Sequence, residues 1–436
     1  MAYSYDIHTS KKDKRSTICL FSTHSISSIV NLFISTFLVA QLYSYTDNIY
    51  SYIINVCAFE GITYIFFGLF MVPLSYLLEK TNRVWFYRLA LVLRAGIIVL
   101  AIFLNSNITR ILYISAICNG VSYAFYYSSY NTLKQEMVSR KSMHSYSVFI
   151  HCAELVVKIL IPILLGTLID VSTFSKVAIC LAVLCVVQIG LSFGVHSKKP
   201  DHSNFDLKKY FAKLKTQPDT YKKIKMLYWG AFIYGFTSIV STILNICVII
   251  QFGSNFSLGA MSSLFSLVSM ITILFFNKFT TKGRRSKIYI LTAILPFLCA
   301  IVFALYPTVW TLILYNVGTA ISAIIYKTVY DIYRNGILKE AGLYSEITEH
   351  QSIVEMLMSS SRVLSYLFLI LLSLFRSFVI FNVFLCVSVL SYSAILIFLY
   401  IYEKKYPAIV NSDSQDEQQN QELNSNSSNN TDTDKS

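Results

Sequence analysis

The chain is a series of long apolar runs separated by short polar loops. Each of twelve runs is long enough for a helix that crosses a bilayer, which takes about 20 residues. The runs are 17–42, 50–78, 84–104, 109–133, 143–169, 174–195, 226–250, 256–276, 288–305, 308–331, 348–373 and 377–402. Lipid offers no hydrogen-bond partner to an open backbone, so the pattern predicts twelve transmembrane helices.

The longest loop, residues 196–225, divides the runs into six and six. Within it Phe205, Tyr210 and Leu214 are interspersed with lysines, which is typical of a short amphipathic helix lying on the inner leaflet. A solvated basic linker is the alternative. The predicted order is a cytoplasmic N-terminus, a six-helix bundle, the basic linker, a second six-helix bundle and a disordered cytoplasmic tail, at residues 1–16, 17–195, 196–225, 226–402 and 403–436.

Composition agrees with lipid as the main solvent. Of the 436 residues, 55% are hydrophobic and 14% charged, whereas soluble proteins carry roughly a quarter charged residues. A soluble multi-domain enzyme is therefore excluded. The nine cysteines all lie in apolar runs and form no CxxC pair, so neither a metal nor a cofactor is expected. No ATP-binding loop of the GxxxxGK[ST] type occurs either.

The basic residues predict the orientation. If the N-terminus is cytoplasmic, 29 of the 36 lysines and arginines fall on the cytoplasmic side, and only Arg110, Lys176 and Arg376 fall in outside loops. Positive charge gathers on the cytoplasmic side of membrane proteins, so both termini are expected in the cytoplasm, with the chain in the cell membrane. This bias explains the net charge of +13 without a nucleic-acid partner.

Two loops at equivalent positions of the halves carry a related pattern. One runs from Ser75 to Arg83 and includes Glu79 and Lys80; the other runs from Thr281 to Lys287 and includes Gly283, Arg284 and Arg285. In this the sequence resembles the major facilitator superfamily, whose loop signature is Gly-x-x-x-Asp-Arg-x-Gly-Arg-Arg. Ser75 and Asn82 replace its glycines, and the second loop lacks its acidic residue. The resemblance implies two pseudo-symmetric bundles and gating loops at these residues; the alternative is that Arg284 and Arg285 only set orientation.

Charged residues inside the runs are candidates for proton coupling, because a charge at the bilayer centre costs roughly 2.5 kcal/mol or more. His151, Glu154 and Lys158 share one stripe of the fifth run, and Glu355 and Arg362 share one of the eleventh. A low-dielectric cavity favours the protonated, neutral form of a carboxyl group, and a nearby cation favours the ionised form. Helix movement that makes or breaks the contact with the cation can therefore cause the carboxyl group to release or bind a proton. Glu60 in the second run and Arg94 in the third are further charged residues inside the membrane. The alternative to proton coupling is that these residues form structural ion pairs, Glu154 with Lys158 within one helix and Glu60 with Arg94 between two helices.

The resemblance also implies that the first, fourth, seventh and tenth runs line a central cavity. Their polar and aromatic residues suit a mid-sized organic substrate. The candidates are Asn31, Asn119, Tyr123, Tyr127, Asn245, Asn316 and Tyr326.

We therefore expect a secondary active transporter, not an enzyme, that moves a small organic molecule by alternating access. Proton coupling, export rather than import, and a monomer are expected. A lipid flippase and a transporter-like sensor or immunity protein that binds without transport are the alternatives.

Overall fold

The computed structural model describes residues 11–46, 48–103, 108–137, 140–197, 205–279, 285–340 and 346–405, and nearly all of them are helical. The first span begins as α1 (Lys11–Leu32) and continues through a π-helical segment (Phe33–Leu38), a short α-turn (Val39–Gln41) and a 3-10 turn (Leu42–Tyr45). The other helices are α2 Ile49–Lys80, α3 Arg83–Ile102, α4 Ile108–Met137, α5 Arg140–Val171, α6 Phe174–Ser192, α7 Leu207–Lys215, α8 Pro218–Phe252, α9 Asn255–Phe279, α10 Arg285–Leu305, α11 Val309–Glu340, α12 Ile347–Ser373 and α13 Phe378–Lys405.

Each predicted run is a helix in the structure. Within the described residues, eleven helices are long and apolar enough to cross a membrane. Among the twelve predicted runs, the one outside that set is α4, which is 30 residues long but carries Asn119, Ser122 and Ser128 among its apolar residues. Several helices extend past the apolar run, such as α8, which begins at Pro218, because water-facing turns need no hydrophobic residues. The fold is an all-α membrane protein consistent with twelve transmembrane helices.

The helices alternate in direction and so define two sides. We call the side where α1 begins and α13 ends the basic side, and the opposite side, where the 3-10 turn leads into α2, the far side. Polar side chains cap several helices on both sides: Asn48 accepts from the amide of Ser51, and Asn82 accepts from that of Val84. Such caps satisfy amides that the first helical turn leaves free.

The two halves share one apolar core on the far side. It joins Phe37 of the first span and Ile169 of α5 to Ile246 of α8, Leu258 of α9 and Leu369 of α12. On the basic side the cores are separate: two clusters lie in the N-terminal half and one in the C-terminal half. The far side is therefore closed by side chains from both halves.

Antiparallel packing of α2 against α12 connects the halves along most of their length. The contacts repeat every seven residues: Ser75 with Ser352, Gly68 with Ser359, and Gly61 with Tyr366. The hydroxyl oxygens of Ser75 and Ser352 lie 2.8 Å apart on the basic side. We call this row of contacts, in which five of the six residues are glycine or serine, the α2–α12 seam. Small residues let membrane helices approach closely.

A second crossing, between α5 and α9, connects the halves on the far side. A Cβ atom at Gly259 would lie 2.1 Å from the carbonyl oxygen of Pro162, and one at Gly166 would lie 2.3 Å from that of Asn255. The Asp170 carboxylate at the end of α5 accepts from the amides of Asn255 and Phe256 at the start of α9. The two backbones meet here without an intervening side chain.

The linker helix α7 packs on protein. Tyr210 and Leu214 are 1% and 0% exposed, in a cluster with residues of α8 and α12. The Tyr210 hydroxyl bonds Tyr228 at 2.9 Å and His350 at 3.1 Å, and the ammonium group of Lys213 lies 2.8 Å from the carboxylate of Glu346. The apolar face of this helix was expected on the inner leaflet and is instead covered by the C-terminal half. Burial raises the pKa of Tyr210 to about 12, so its hydroxyl keeps its proton at neutral pH.

Candidate functional site

A cavity of about 430 Å³ lies between the halves near mid-membrane, and we call it the central cavity. Its wall is rich in hydroxyl and amide groups and holds one carboxylate and one ammonium group. The polar wall residues are Ser35, Thr36, Glu60, Lys158, Ser238, Ser241, Thr242, Asn245, Ser262, Ser266 and Asn316, joined by Tyr64, Tyr123 and Tyr366. Ser35 and Thr36 belong to the π-helical segment, a distortion that is frequent at functional sites.

A second cavity of about 440 Å³ lies nearer the basic side, and we call it the vestibule. It shares Tyr64 and Tyr123 with the central cavity, so the two are contiguous. Aromatic rings and four charged residues line the vestibule. The lining residues are Tyr64, Phe67, Tyr123, Tyr127, Tyr234, Tyr326, Lys327, Tyr330, Arg334, Val354, Glu355, Met358 and Arg362.

The structure brings most of the predicted cavity residues to these walls. Asn245 and Asn316 line the central cavity, Tyr123 lines both cavities, and Tyr127 and Tyr326 line the vestibule. Asn31 and Asn119 are among the lining residues of neither cavity, and Asn119 is 2% exposed within the N-terminal half.

Glu154 lies between two basic side chains. Its Oε1 is 2.9 Å from Nε2 of His24 in α1, and its Oε2 is 3.7 Å from the Lys158 ammonium group one turn along α5. The Glu154–Lys158 ion pair, which is the structural alternative to proton coupling, is therefore present. Lys158 also lines the central cavity, so the carboxylate is connected to the cavity through one side chain.

His24 is held in place by α1 and α4. Its Nδ1 lies 2.7 Å from the hydroxyl of Tyr126, and its ring stacks on Tyr130 at a centroid distance of 4.2 Å. The neutral tautomer that satisfies both contacts accepts from Tyr126 at Nδ1 and donates to Glu154 from Nε2. One turn of α1 is also fixed by Thr23, whose hydroxyl lies 2.6 Å from that of Tyr87 in α3, and whose carbonyl accepts from Gln188 of α6.

His24 is not among the residues predicted from the sequence. The histidine expected near Glu154 is His151, whose side chain lies outside the described part. His24 is a titratable residue inside the first apolar run. That position was itself a signal, because ionisable residues within membrane spans are rare and expensive. The contact with Glu154 joins residues 130 positions apart in the chain, and spacing along one helix cannot reveal it.

Arg94 is fully buried, and within the described part of the chain it does not form the ion pair with Glu60 that is the structural alternative to proton coupling. Its guanidinium carbon lies 4.0 Å from the ring centroid of Tyr126, and its Nε donates to the Ser122 hydroxyl at 3.1 Å. Its two Nη atoms have no hydrogen-bond partner among the described residues. Arg94 therefore lies under the tyrosine that contacts His24.

Glu60 lies in the wall of the central cavity, within electrostatic reach of Arg362 of the other half but without a direct ion pair among the described residues. The Arg362 guanidinium carbon lies over the ring of Tyr64 at 4.6 Å. Glu60 lines the central cavity, and Arg362 and Glu355 line the vestibule. The expected acid–base stripe of the eleventh run thus faces the vestibule, on α12.

The predicted gating loops are described only in part. Arg83 is buried and its Nε donates to the Leu78 carbonyl at 3.1 Å, whereas Lys80 is exposed and donates to the hydroxyl of Tyr76. The side chains of Glu79 and Arg285, and residues Gly283 and Arg284 altogether, lie outside the described part. Their gating role stays a prediction.

Comparison with known proteins identifies the family. The profile of the Major Facilitator Superfamily matches residues 17–338, about three quarters of the chain. The chain belongs to the major facilitator superfamily. The resemblance seen in the sequence is confirmed, and a superfamily transporter implies a small-molecule substrate and embedding in a membrane.

Solved structures share this fold. A crystal structure of a point mutant of the nucleoside transporter NupG matches with a TM-score of 0.64 at 13% identity, covering 90% of this chain and 99% of that one. A second NupG crystal structure matches with a TM-score of 0.63 at 13% identity, covering 89% and 99%. A search of curated proteins finds no significant match. At this identity the likeness shows the fold alone.

Proposed function

We propose that this protein is a secondary active transporter that moves a small organic molecule through the central cavity by alternating access, driven by a proton gradient. The supporting observation is the contact chain from His24 through Glu154 to Lys158, because Lys158 is part of the cavity wall. A proton on Glu154 cancels the charge that attracts Lys158. The Lys158 ammonium group is then no longer held by Glu154 and can interact differently with a molecule in the cavity. Protonation of Glu154 and binding of the substrate would in this way affect each other.

Alternating access is supported by the arrangement of the cores. Side chains of both halves close the far side, while the basic side keeps separate cores and the vestibule. In this proposal the structure is the state open toward the basic side, and the enrichment of lysine and arginine predicts that this side faces the cytoplasm. A substrate there would enter the vestibule first. Export and action as a monomer in the cell membrane stay predictions.

Transport in proteoliposomes with an imposed pH gradient tests this function. The first panel contains neutral, anionic and cationic organic compounds, and includes nucleosides because the similar solved structures are of a nucleoside transporter. We expect Glu154→Gln to abolish gradient-driven accumulation and to keep counterflow exchange, because the amide cannot carry the proton. Asp219→Asn is the control, since the Asp219 side chain is 91% exposed.

Three outcomes would contradict the proposal. If the Glu154→Gln protein accumulated substrate as the wild type does, Glu154 would not be the group that carries the coupling proton. Binding without exchange in the wild-type protein would favour a sensor or immunity function, and movement of labelled lipid between leaflets would favour a flippase. Assays in both gradient directions measure whether the protein exports or imports.

A further inference from the structure

The vestibule has an unequal charge balance. Its described lining contains three cationic side chains, Lys327, Arg334 and Arg362, and one carboxylate, Glu355. Lys327 forms no ion pair with any described residue and is exposed to the cavity space. The central cavity, by comparison, has one carboxylate and one ammonium group in its wall, Glu60 and Lys158. An excess of positive charge between low-dielectric walls attracts anions more strongly than the same charge in water.

Aromatic rings supply the rest of the vestibule wall, and both halves contribute. Phe67 and Tyr127 meet edge to face at 6.3 Å in the N-terminal half. Tyr234 and Tyr326 lie 4.7 Å apart in the C-terminal half. These rings offer flat apolar surface together with hydroxyl donors, which suits a planar ring that carries a polar group.

We propose that the vestibule is a substrate subsite that selects an organic anion, an aromatic ring bearing a carboxylate or a phosphate group. Lys327 and Arg334 contact the anionic group, and the tyrosines stack on the ring. The volume of about 440 Å³ lies within the range of sites for drug-sized ligands. This inference rests on the proposed transport function, because it takes the vestibule as the point where substrate enters or leaves the central cavity.

Lys327 and Arg334 are well placed for this contact. Both belong to α11 and lie seven residues apart, so they share one face of the helix. Arg362 faces the same cavity from α12, where its guanidinium already covers the Tyr64 ring. Tyr64, which Arg362 contacts, lines both the vestibule and the central cavity.

Equilibrium binding to the purified full-length protein in detergent tests the subsite without requiring transport. Thermal stabilisation is read with a thiol-reactive dye, since unfolding exposes buried cysteines such as Cys57, Cys185 and Cys247. The probes are benzoate and phenyl phosphate, with benzamide as the neutral analogue, benzylammonium as the cation and acetate as the anion without a ring. We expect benzoate or phenyl phosphate to bind about tenfold more tightly than benzamide, the value of one charge-assisted hydrogen bond.

Variants assign the binding to the vestibule. We expect Lys327→Gln to weaken benzoate and phenyl phosphate binding and Lys327→Gln/Arg334→Gln to bring it to the level of benzamide. Lys176→Gln is the matched control, because it removes an exposed cation on the far side and should leave binding unchanged. The single variant also covers the case in which the double variant fails to fold.

Some results would overturn the inference. If benzamide or benzylammonium bound as tightly as benzoate, the vestibule would not select for negative charge. If acetate bound as tightly as benzoate, binding would not require an aromatic ring. Wild-type affinity for benzoate and phenyl phosphate in Lys327→Gln/Arg334→Gln would place the anion elsewhere. If anions bind as expected but Glu154→Gln still accumulates substrate with the gradient, the proton role fails and the subsite stands.

Discussion

His24 and Glu154 form the contact on which the proposed coupling depends. An ionic or hydrogen-bonded pair between two helices can break when the helices move, whereas a pair one turn apart on a single helix stays together. His24 belongs to α1 and Glu154 to α5, both in the N-terminal half, so a rearrangement within that half that moves α1 relative to α5 changes this contact and leaves the Glu154–Lys158 contact in place. The interhelical half of the network is therefore the part that can report the conformational state.

Substitution of His24 tests this assignment. We expect His24→Gln to reduce gradient-driven transport by about tenfold or more, because one charge-assisted hydrogen bond and one proton carrier are lost. Counterflow exchange should remain, since His24 is not among the residues that line the central cavity. His196→Gln is the control, because His196 is exposed beyond the end of α6. Equal loss of accumulation and exchange would indicate that His24 only maintains the fold.

At the residue scale, sequence predicts contacts within a helix better than contacts between helices. Of the two ion pairs that form the structural alternative to proton coupling, Glu154–Lys158 is present, because four-residue spacing fixes the proximity of the two side chains. The Glu60–Arg94 pair is absent among the described residues, since that distance depends on the rotation of two helices about their axes. Arg94 faces Tyr126 and Ser122 inside its own half, and Glu60 lines the central cavity.

At the scale of helices, the hydrophobic pattern predicts where spans lie but not which faces meet. The apolar run 50–78 predicts α2 to within two residues at each end. The α2–α12 seam depends on Gly61, Gly68 and Ser75, spaced by seven residues along α2. The sequence shows this spacing, but its partner face on α12 is recognisable only when the two helices are placed together.

The α5–α9 crossing gives a test at this scale. Gly259→Ala places a Cβ atom 2.1 Å from the Pro162 carbonyl oxygen, so the helices must separate, at a cost of about 1–3 kcal/mol. We expect the far side to open. In a variant whose only cysteine is Cys247, which is 7% exposed on the far-side half of α8, an impermeant maleimide should react faster with Gly259→Ala than with its parent.

Gly96→Ala is the matched control for this substitution. A Cβ atom there meets nothing within 4 Å, so labelling of Cys247 should stay at the parent rate. Equal labelling in Gly259→Ala and Gly96→Ala, at unchanged melting temperature, would show that the crossing tolerates a methyl group and does not control far-side closure.

At the scale of the whole molecule, the basic side and the far side differ both in charge and in how the two halves pack. The start of α1 at Lys11 and the end of α13 at Lys405 lie on the side where the halves keep separate cores, and the shared core lies on the other side. The sequence predicts the difference in charge, since the bias of lysine and arginine depends on loops alone. It cannot predict which side is closed, because closure is a property of one conformational state and both states share one sequence.

Relative movement of the halves is the last consequence, and the α2–α12 seam allows it to be blocked. Ser75 and Ser352 belong to different halves, and their hydroxyl oxygens lie 2.8 Å apart on the basic side, so cysteines at both positions are close enough to form a disulfide. Alternating access requires the halves to rock, and a bond across the seam opposes rocking. We expect oxidised Ser75→Cys/Ser352→Cys to lose transport and counterflow, and reduction to restore both. Ser254→Cys/Ser257→Cys has the same oxygen separation within one half and should stay active when oxidised. Full activity of the oxidised, cross-linked Ser75→Cys/Ser352→Cys protein would show that transport proceeds without movement at this seam.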